Sequence, residues 1–202
     1  MDIKKLSFLL AISFISFNFS NAQIVENNAI YVTSELNFGN YLGMDLDLNY
    51  ILKDKYSFKV GYSGNFRKPK SQPDDFTTGI FGIFLFGTNS PADKFENFGA
   101  TVGRIYKINQ SGTIRANLSL GVGYTIYTEP ENWEKINDNV VSLSKNYTYD
   151  YVEHRTISLI VNPKIEFPII RYWGLSVSPM LQINRDRAYF GIGLGTMIGL
   201  LR

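Results

Sequence analysis

The sequence lacks cysteine, has a single histidine and carries a formal net charge of only +2. Without cysteine the chain holds neither disulfides nor thiolate metal centres, so it has to fold by packing and hydrogen bonding alone. The nearly balanced charge gives no electrostatic reason to expect a nucleic-acid partner. Because glycine-rich phosphate loops and zinc-ligand spacings are also missing, we expect no cofactor and no metal.

Long hydrophobic runs are missing as well, except near the start of the chain. Residues 6–17, LSFLLAISFISF, follow Lys4 and Lys5 and precede the small residues SNA at 20–22. This is the pattern of a secretory signal peptide, and its apolar core is too short to span a bilayer as a helix. We expect residues 1–22 to be removed on export and residues 23–202 to form one domain. An uncleaved N-terminal anchor and a buried core helix are the alternatives.

The mature chain is instead rich in segments that alternate between apolar and polar residues. Segment 41–52, YLGMDLDLNYIL, and segment 113–127, TIRANLSLGVGYTIY, show this period of two most clearly. Such alternation predicts β-strands with one apolar face. Around Arg104 the alternation slips, and we expect a β-bulge there. The six further strand segments are 30–38, 56–66, 97–108, 155–167, 175–184 and 188–201.

The lengths of the connections predict the topology. Outer-membrane barrels have short periplasmic turns, longer external loops and both termini in the periplasm. Two connections, 67–96 and 128–152, are long, and both fall on the external side if strand 30–38 runs outward. The sequence therefore predicts an all-β fold: an eight-stranded antiparallel up-and-down transmembrane β-barrel in the bacterial outer membrane.

Segment 79–87, GIFGIFLFG, is the one stretch that could change this strand count. As a ninth membrane strand it would leave the C-terminus outside, so we assign it to the first long external loop. There it either packs as an apolar patch under its own loop, forms a β-extension, or faces a ligand or the outer leaflet. The apolar residues of this segment are Ile80, Phe81, Ile83, Phe84, Leu85 and Phe86.

A soluble sandwich or a lipocalin-like barrel would also alternate, but three features favour the membrane. The strands are long enough for a tilted membrane crossing. Aromatic residues cluster near strand ends, as in interfacial girdles. The girdle residues are Tyr41, Tyr50, Tyr56, Tyr106, Tyr172 and Trp173, with Phe66, Tyr127 and Tyr189 in similar positions. Third, the polar faces carry charges of both signs, which predicts a charge network in the lumen: Glu35, Asp45, Asp47, Lys59, Arg115, Lys164 and Glu166.

The processing site NAQ, the hairpin-like stretch NPKIEFPIIRYWGLSVSP (162–179) and the ending FGIGLGTMIGLLR carry a resemblance. The chain resembles small outer-membrane β-barrel proteins of the Bacteroidota, in the broad OmpA-like or porin-like group. The resemblance implies a barrel fold, contact with outer-membrane lipid and recognition by the barrel-insertion machinery. The chain departs from many such barrels by ending in Leu201 and Arg202 rather than in an aromatic residue.

Little in the sequence suggests chemistry. Glu153, His154 and Ser158 could be compared with the catalytic residues of barrel lipases, but Glu153 points to the opposite face of the strand. Asp45 and Asp47 are more readily partners of the lumenal basic residues than an acid/base pair. Inward glycines at 121, 123, 191, 193, 195 and 199 either receive long basic side chains or leave a narrow cavity. Eight strands do not predict an open pore.

The sequence therefore favours a non-enzymatic outer-membrane barrel with a plugged lumen. Its two long external loops would serve surface interaction or envelope integrity through an unknown external ligand or protein. Two alternatives are a barrel that binds or transports a small apolar ligand at its external mouth and a lipid-modifying enzyme centred on His154.

Overall fold

The computed structural model describes residues 27–78, 90–136 and 145–201, so the predicted signal peptide and segment 79–87 lie outside the described residues. Each strand pairs antiparallel with its neighbours in sequence, and the last strand pairs with the first, which closes the barrel. The strands are β1 (Ala29–Gly39), β2 (Leu42–Leu52), β3 (Tyr56–Arg67), β4 (Asp93–Lys107), β5 (Arg115–Lys135), β6 (Tyr147–Pro168), β7 (Trp173–Ile183) and β8 (Ala188–Leu200). No helix in the described part of the chain is long and apolar enough to cross a membrane.

The alternation of side chains decides which way each strand faces. On β2, Leu42, Met44 and Leu46 point outward and are largely exposed, whereas Asp45 and Asp47 are buried in the lumen. The same period of two runs around the barrel, so polar side chains fill the inside and apolar side chains cover the outside. The predicted eight-stranded up-and-down barrel is confirmed.

The two ends of the barrel differ. The short-turn end carries the connections 53–55, 108–114 and 169–172. The loop end carries 40–41, 68–92, 136–146 and 184–187, which include the two longest connections of the barrel. The turn between β2 and β3 is tight because Lys53 and Asp54 both adopt positive φ values, 52° and 55°, and the Lys55 amide donates to the Leu52 carbonyl at 3.1 Å. Two consecutive positive φ values make the turn whose twist matches that of the paired strands.

The second long loop is mostly regular structure. β5 and β6 continue as a two-stranded extension, up to Lys135 on β5 and from Tyr147 on β6, beyond the end of the neighbouring strand β4 at Asp93. Much of the predicted loop 128–152 is therefore strand. The register shifts once along this hairpin, between Glu131 and Glu134.

The bulge predicted at Arg104 is absent. Arg104 pairs with Tyr56 on one side and with Leu118 on the other in an unbroken register. The apolar alternation slips in the sequence because Ile105 faces the lumen near the short-turn end, while Arg104 points outward. At this end of β4 the two faces of a regular strand exchange their usual polarity, and in the sequence such an exchange resembles a bulge.

The seam between β6 and β7 is interrupted in the middle of the barrel wall. Its pairing stops after Val161 and resumes at Ile165 in the same register, which places Pro163 opposite Pro179. In an antiparallel ladder, every second pair of opposed residues exchanges two backbone hydrogen bonds. Proline has no N–H, so two prolines at such a pair remove both bonds. Asn162 compensates in part, since its side-chain amide donates to the Pro179 carbonyl at 3.1 Å.

Candidate functional site in the lumen and at the loop end

The outer surface of the barrel is a continuous apolar band. Met44, Val102 and Ile198 lie on different strands of this surface and are 57%, 61% and 62% exposed. Soluble monomers rarely leave large contiguous apolar patches in water. A closed sheet with this exterior is stable in hydrocarbon, because every backbone edge is paired and the apolar side chains face lipid. The surface is therefore that of a membrane-spanning barrel.

Aromatic residues mark one boundary of the band. Five of the predicted girdle residues lie outside the barrel near its short-turn end: Tyr50, Tyr56, Tyr106, Tyr172 and Trp173. Tyr41 was wrongly placed with them: its side chain is 2% exposed and points into the lumen, as do those of Tyr127 and Tyr189. Tyr41 directly precedes the lipid-facing Leu42, so strict alternation turns it inward.

The seven residues of the predicted charge network are all buried in the lumen: Glu35, Asp45, Asp47, Lys59, Arg115, Lys164 and Glu166. Lys164 Nζ lies 2.8 Å from Glu35 Oε1 and 3.9 Å from Asp47 Oδ2. Lys59 Nζ lies 3.2 Å from the same Asp47 oxygen and donates to Asn162 Oδ1 at 2.7 Å. Side chains from opposite walls therefore meet across the lumen. We call the seven charged residues together the charge layer.

A third ion pair of the charge layer lies closer to the short-turn end. Arg115 Nε donates to Glu166 Oε2 at 2.5 Å, and an Arg115 terminal nitrogen donates to the Leu201 carbonyl at 2.9 Å. The other Glu166 oxygen accepts from the Tyr31 hydroxyl at 2.8 Å and from Asn117 Nδ2 at 3.2 Å. A buried charge is tolerated only when it is paired and hydrogen-bonded. Arg115 and Glu166 would lose these partners if either side chain moved, so both are held in one geometry.

Glycines on β8 make room for an acidic side chain rather than for the basic ones that the sequence suggested. A Cβ at Gly195 would collide with the side chain of Glu35, and a Cβ at Gly193 would lie 3.0 Å from Glu35 Oε2. Glu35 Oε1 accepts from the Ser176 hydroxyl at 2.6 Å, and Oε2 accepts from Ser178. The bare backbone at these positions lets Glu35 lie against the wall between its donors.

Apolar side chains occupy the lumen on either side of the charge layer. Toward the loop end, the ring of Phe95 lies 5.7 Å from that of Tyr41 and 6.0 Å from that of Tyr189. The Arg67 guanidinium lies 4.3 Å from the centre of the Tyr41 ring and 2.8 Å from Asp93. This aromatic layer comprises Tyr41, Phe95, Tyr127, Met180 and Tyr189. The cluster at the short-turn end comprises Ala29, Tyr31, Ile51, Ile105, Met197 and Leu201.

A polar cluster lies on the rim at the loop end, beyond the apolar band. Glu129 accepts from the Tyr127 hydroxyl at 2.8 Å and from Arg187 at 3.0 Å, and His154 Nε2 lies 3.9 Å away. Burial raises the pKa of Glu129, but the hydrogen bonds from Tyr127 and Arg187 outweigh it and hold the pKa below its usual value. Ligand atoms of Glu129, Glu131 and His154 lie within 4.8 Å of one another. Since Arg187 already pairs with Glu129, the cluster is accounted for as an ion-pair network.

The structure does not bring the residues of the enzymatic alternative together. The Ser158 hydroxyl is buried in the lumen, 2.5 Å from the Thr125 hydroxyl, and it also accepts from Asn184 Nδ2 at 3.1 Å. His154 lies on the rim and approaches Glu129 instead. The exposed Glu153 pairs with Arg155 at 2.5 Å. The three side chains make separate contacts, and none of these contacts forms a nucleophile–base pair.

The loop after β3 packs against the β5–β6 extension. Asp75 accepts from the Tyr147 hydroxyl at 2.7 Å and lies 3.1 Å from Lys135 Nζ, and both contacts hold its pKa below the usual value. Phe76 packs edge-on against Trp133, with ring centres 5.4 Å apart. Sequence reasoning did not identify this contact, because the partners are separated by more than fifty residues and belong to segments without strand alternation.

A cavity of about 740 Å³ opens at the loop end. Its lining includes the aromatic side chains Tyr41, Phe66 and Phe76, and also Thr78 and Ser90, the described residues on either side of segment 79–89. The volume falls in the range of small-molecule sites, which are typically apolar clefts with few polar groups.

The fold can be compared with solved structures. The chain is similar to Ail, the attachment invasion locus protein of Yersinia pestis, with 12% identity over 86% of this chain and 96% of that chain and a TM-score of 0.48. It is similar to the N-terminal β-barrel domain of Pseudomonas aeruginosa OprF, with 11% identity, coverage of 86% and 98% and a TM-score of 0.47. It is also similar to Neisserial surface protein A, with 9% identity, coverage of 85% and 94% and a TM-score of 0.45.

No family model and no curated protein matches the sequence. At these identities the likenesses to solved structures carry nothing about activity, so the assignment rests on the barrel itself. Its closed sheet, its lipid-facing apolar band and its polar interior make this chain an eight-stranded transmembrane β-barrel, the architecture of outer-membrane barrels.

Proposed function

We propose that this protein is a non-enzymatic outer-membrane barrel that holds a rigid extension above the membrane for surface interaction or envelope integrity. The observation that carries the proposal is the continuation of β5 and β6 past the apolar band, where the loop after β3 packs onto them. Short turns of such barrels face the periplasm, so the loop end is the external one.

The filled lumen supports an anchoring role rather than a conducting one. The charge layer and the two apolar clusters occupy successive levels of the barrel interior. Eight strands enclose a space that side chains can fill. We therefore propose that the lumen is plugged and that partners act on the outside of the barrel.

Two measurements on the purified protein test these points. A folded barrel should migrate faster on a gel than the boiled sample, and it should insert into a planar bilayer without steady conductance. Regular single-channel steps that persist in several preparations would contradict the plugged lumen.

The surface role requires a test in cells. Residues 131–149 are replaced by a two-residue turn, and heat-modifiable migration establishes that the barrel still folds. We expect the cells to lose surface attachment or detergent resistance to the same extent as a deletion strain. Cells that keep both properties at the parental level would exclude the extension as the functional element.

The cavity at the loop end favours a second candidate, a barrel that accepts a small apolar ligand at its mouth. The apolar segment 79–87 adjoins this cavity in sequence, since Thr78 and Ser90 both line it. Mass spectrometry of lipids that copurify with the folded protein tests this candidate. A defined apolar molecule that is lost after a Phe76→Asp substitution would support it, and a preparation without a specific molecule would exclude it.

Four finer proposals each have an experiment of their own. Analysis of lipid A from a deletion strain should show no change if the protein is not an enzyme. N-terminal sequencing of the mature protein should begin at Gln23 if residues 1–22 are a signal peptide. Crosslinking during assembly should capture the barrel-insertion machinery, and recovery of the gene from a member of the Bacteroidota would support the proposed origin.

A further inference from the structure

The charge layer contains one more acid than base among the described lumenal residues. Glu35 pairs with Lys164, Asp47 with Lys59 and Glu166 with Arg115. Asp45 is 2% exposed and has no ion-pair partner among the described residues. A buried carboxylate without a compensating charge is costly in a low-dielectric interior. The fourth carboxylate therefore requires something that the described side chains do not supply.

The hydrogen bonds of Asp45 satisfy only one of its oxygens. Oδ1 accepts from Asn37 Nδ2 at 2.6 Å, whereas Oδ2 is buried without a hydrogen-bond partner. Lys59 lies nearby, but its ammonium group is already held by Asn162 at 2.7 Å and Asp47 at 3.2 Å. The free oxygen of Asp45 is thus an unused ligand at the centre of the barrel.

Two more unused oxygens lie around the same space. A cavity of about 20 Å³ is lined by Asp45, Thr101 and Gln182, and also by Asp47 and Lys59, whose opposite charges pair with each other at 3.2 Å. Uncharged residues of β3, β4, β6 and β7 complete the lining. Thr101 Oγ1 and Gln182 Oε1 are both buried without partners, like Asp45 Oδ2. The amide nitrogen of Gln182 is committed to Ser63 Oγ at 3.4 Å and Met180 Sδ at 2.9 Å, so its oxygen is the group left free. The volume admits about one water-sized particle.

We propose that this cavity binds a single monovalent cation of the size of Na⁺, ligated by Asp45 Oδ2, Gln182 Oε1 and Thr101 Oγ1. Carboxylate, amide and hydroxyl oxygens are the ligands of hard cations. One bound positive charge balances the fourth carboxylate and also occupies the three unpartnered oxygens. A divalent ion fits less well, because Ca²⁺ takes six to eight oxygen ligands and Mg²⁺ keeps several waters. The site is independent of any role of the external extension.

The first test compares unfolding by urea in NaCl and in choline chloride at equal ionic strength, using the folded barrel in lipid vesicles. Choline is too large for the cavity, so Na⁺ should raise the unfolding midpoint saturably. At a Na⁺ concentration ten times the dissociation constant, the folded-to-unfolded ratio should rise by about elevenfold. Equal midpoints in the two salts would overturn the proposal and leave a proton on Asp45 as the neutralising charge.

Asp45→Asn supplies the matched variant, since it removes the negative charge but keeps the size of the side chain. We expect this variant to lose the difference between NaCl and choline chloride. Asp75→Asn, which alters a carboxylate outside the membrane band, should keep it. A full Na⁺ response in Asp45→Asn would place the ion elsewhere and overturn the assignment.

A measurement on the unaltered protein covers the case in which Asp45→Asn does not fold. Sodium NMR relaxation of vesicles that hold the folded barrel should exceed that of protein-free vesicles, by an amount that saturates as NaCl is added. Equal relaxation in the two samples would overturn the proposal.

Discussion

The lumen is filled in two different ways at two levels of the same barrel. In the charge layer, ion pairs form between neighbouring strands and across the lumen, with donor–acceptor distances of 2.5 to 3.2 Å, and each member depends on a particular partner. In the aromatic layer, Tyr41, Phe95 and Tyr189 pack with ring centres 5.7 to 6.2 Å apart, and no single atom pair is required. Losing one partner should therefore cost more in the charge layer than in the aromatic layer.

The largest effect is expected from Glu166→Ala, which breaks the charge layer. Arg115 would stay buried without its carboxylate, and Tyr31 and Asn117 would lose their acceptor. Breaking a buried pair in this way destabilises a fold by about 3–5 kcal/mol. Urea unfolding in lipid vesicles, followed by tryptophan fluorescence, measures the loss.

The control for this variant is Glu153→Ala, which removes the partner of Arg155 in a largely exposed pair. Exposed pairs contribute at most about 1 kcal/mol. If both substitutions cost the same, the charge layer does not depend on paired charges and the contrast between the layers is lost.

Phe95→Ala breaks the aromatic layer instead. Removing a buried aromatic ring costs about 3 kcal/mol, at the low end of the usual range because the neighbouring rings can relax into the space. Phe98→Ala, on the lipid-facing side of the same strand, should cost less than half as much. The Phe95 variant should also stay silent in planar bilayers, since the charge layer below it is intact. Conductance in this variant would show that the aromatic layer alone seals the lumen.

Asn162→Leu tests the link between the charge layer and the barrel wall. The substitution leaves the Pro179 carbonyl unpaired in the wall and removes an acceptor from Lys59, so we expect a loss of about 2 kcal/mol. Adding Pro163→Val restores a backbone donor to the seam and should recover part of this loss in a double-mutant cycle. Strictly additive effects would show that Asn162 does not replace the missing ladder bond.

The smallest effect is expected from Pro163→Val alone. A regained N–H adds one net hydrogen bond to the β6–β7 seam, but the loss of proline frees the unfolded chain, so stability should rise by only about 0.5 kcal/mol. Hydrogen exchange is the more sensitive readout. The amides of residues 161–165 should exchange faster than those of 118–122 in the natural protein and approach them in the variant. Equal protection in the natural protein would mean that the seam is not weakened.

The sequence predicts the direction and the neighbours of some side chains but not of others. Alternation alone predicts that Tyr41 points into the lumen, because the lipid-facing Leu42 follows it directly. The prediction that Tyr41 belongs to the girdle gave more weight to its position near a strand end than to the face on which alternation places it. Pro163 lies opposite Pro179 because of the register between β6 and β7. The sequence of neither strand alone determines that register.

The amino-acid sequence by itself determined the strands, their number and the polarity of their two faces, because side-chain direction in a strand is a local property with a period of two. Only the tertiary structure decided which charges pair, that Asp45 is left over, and where the loop after β3 packs. Those contacts join residues of neighbouring strands, of opposite walls and of distant segments, so they depend on the closure and register of the whole barrel.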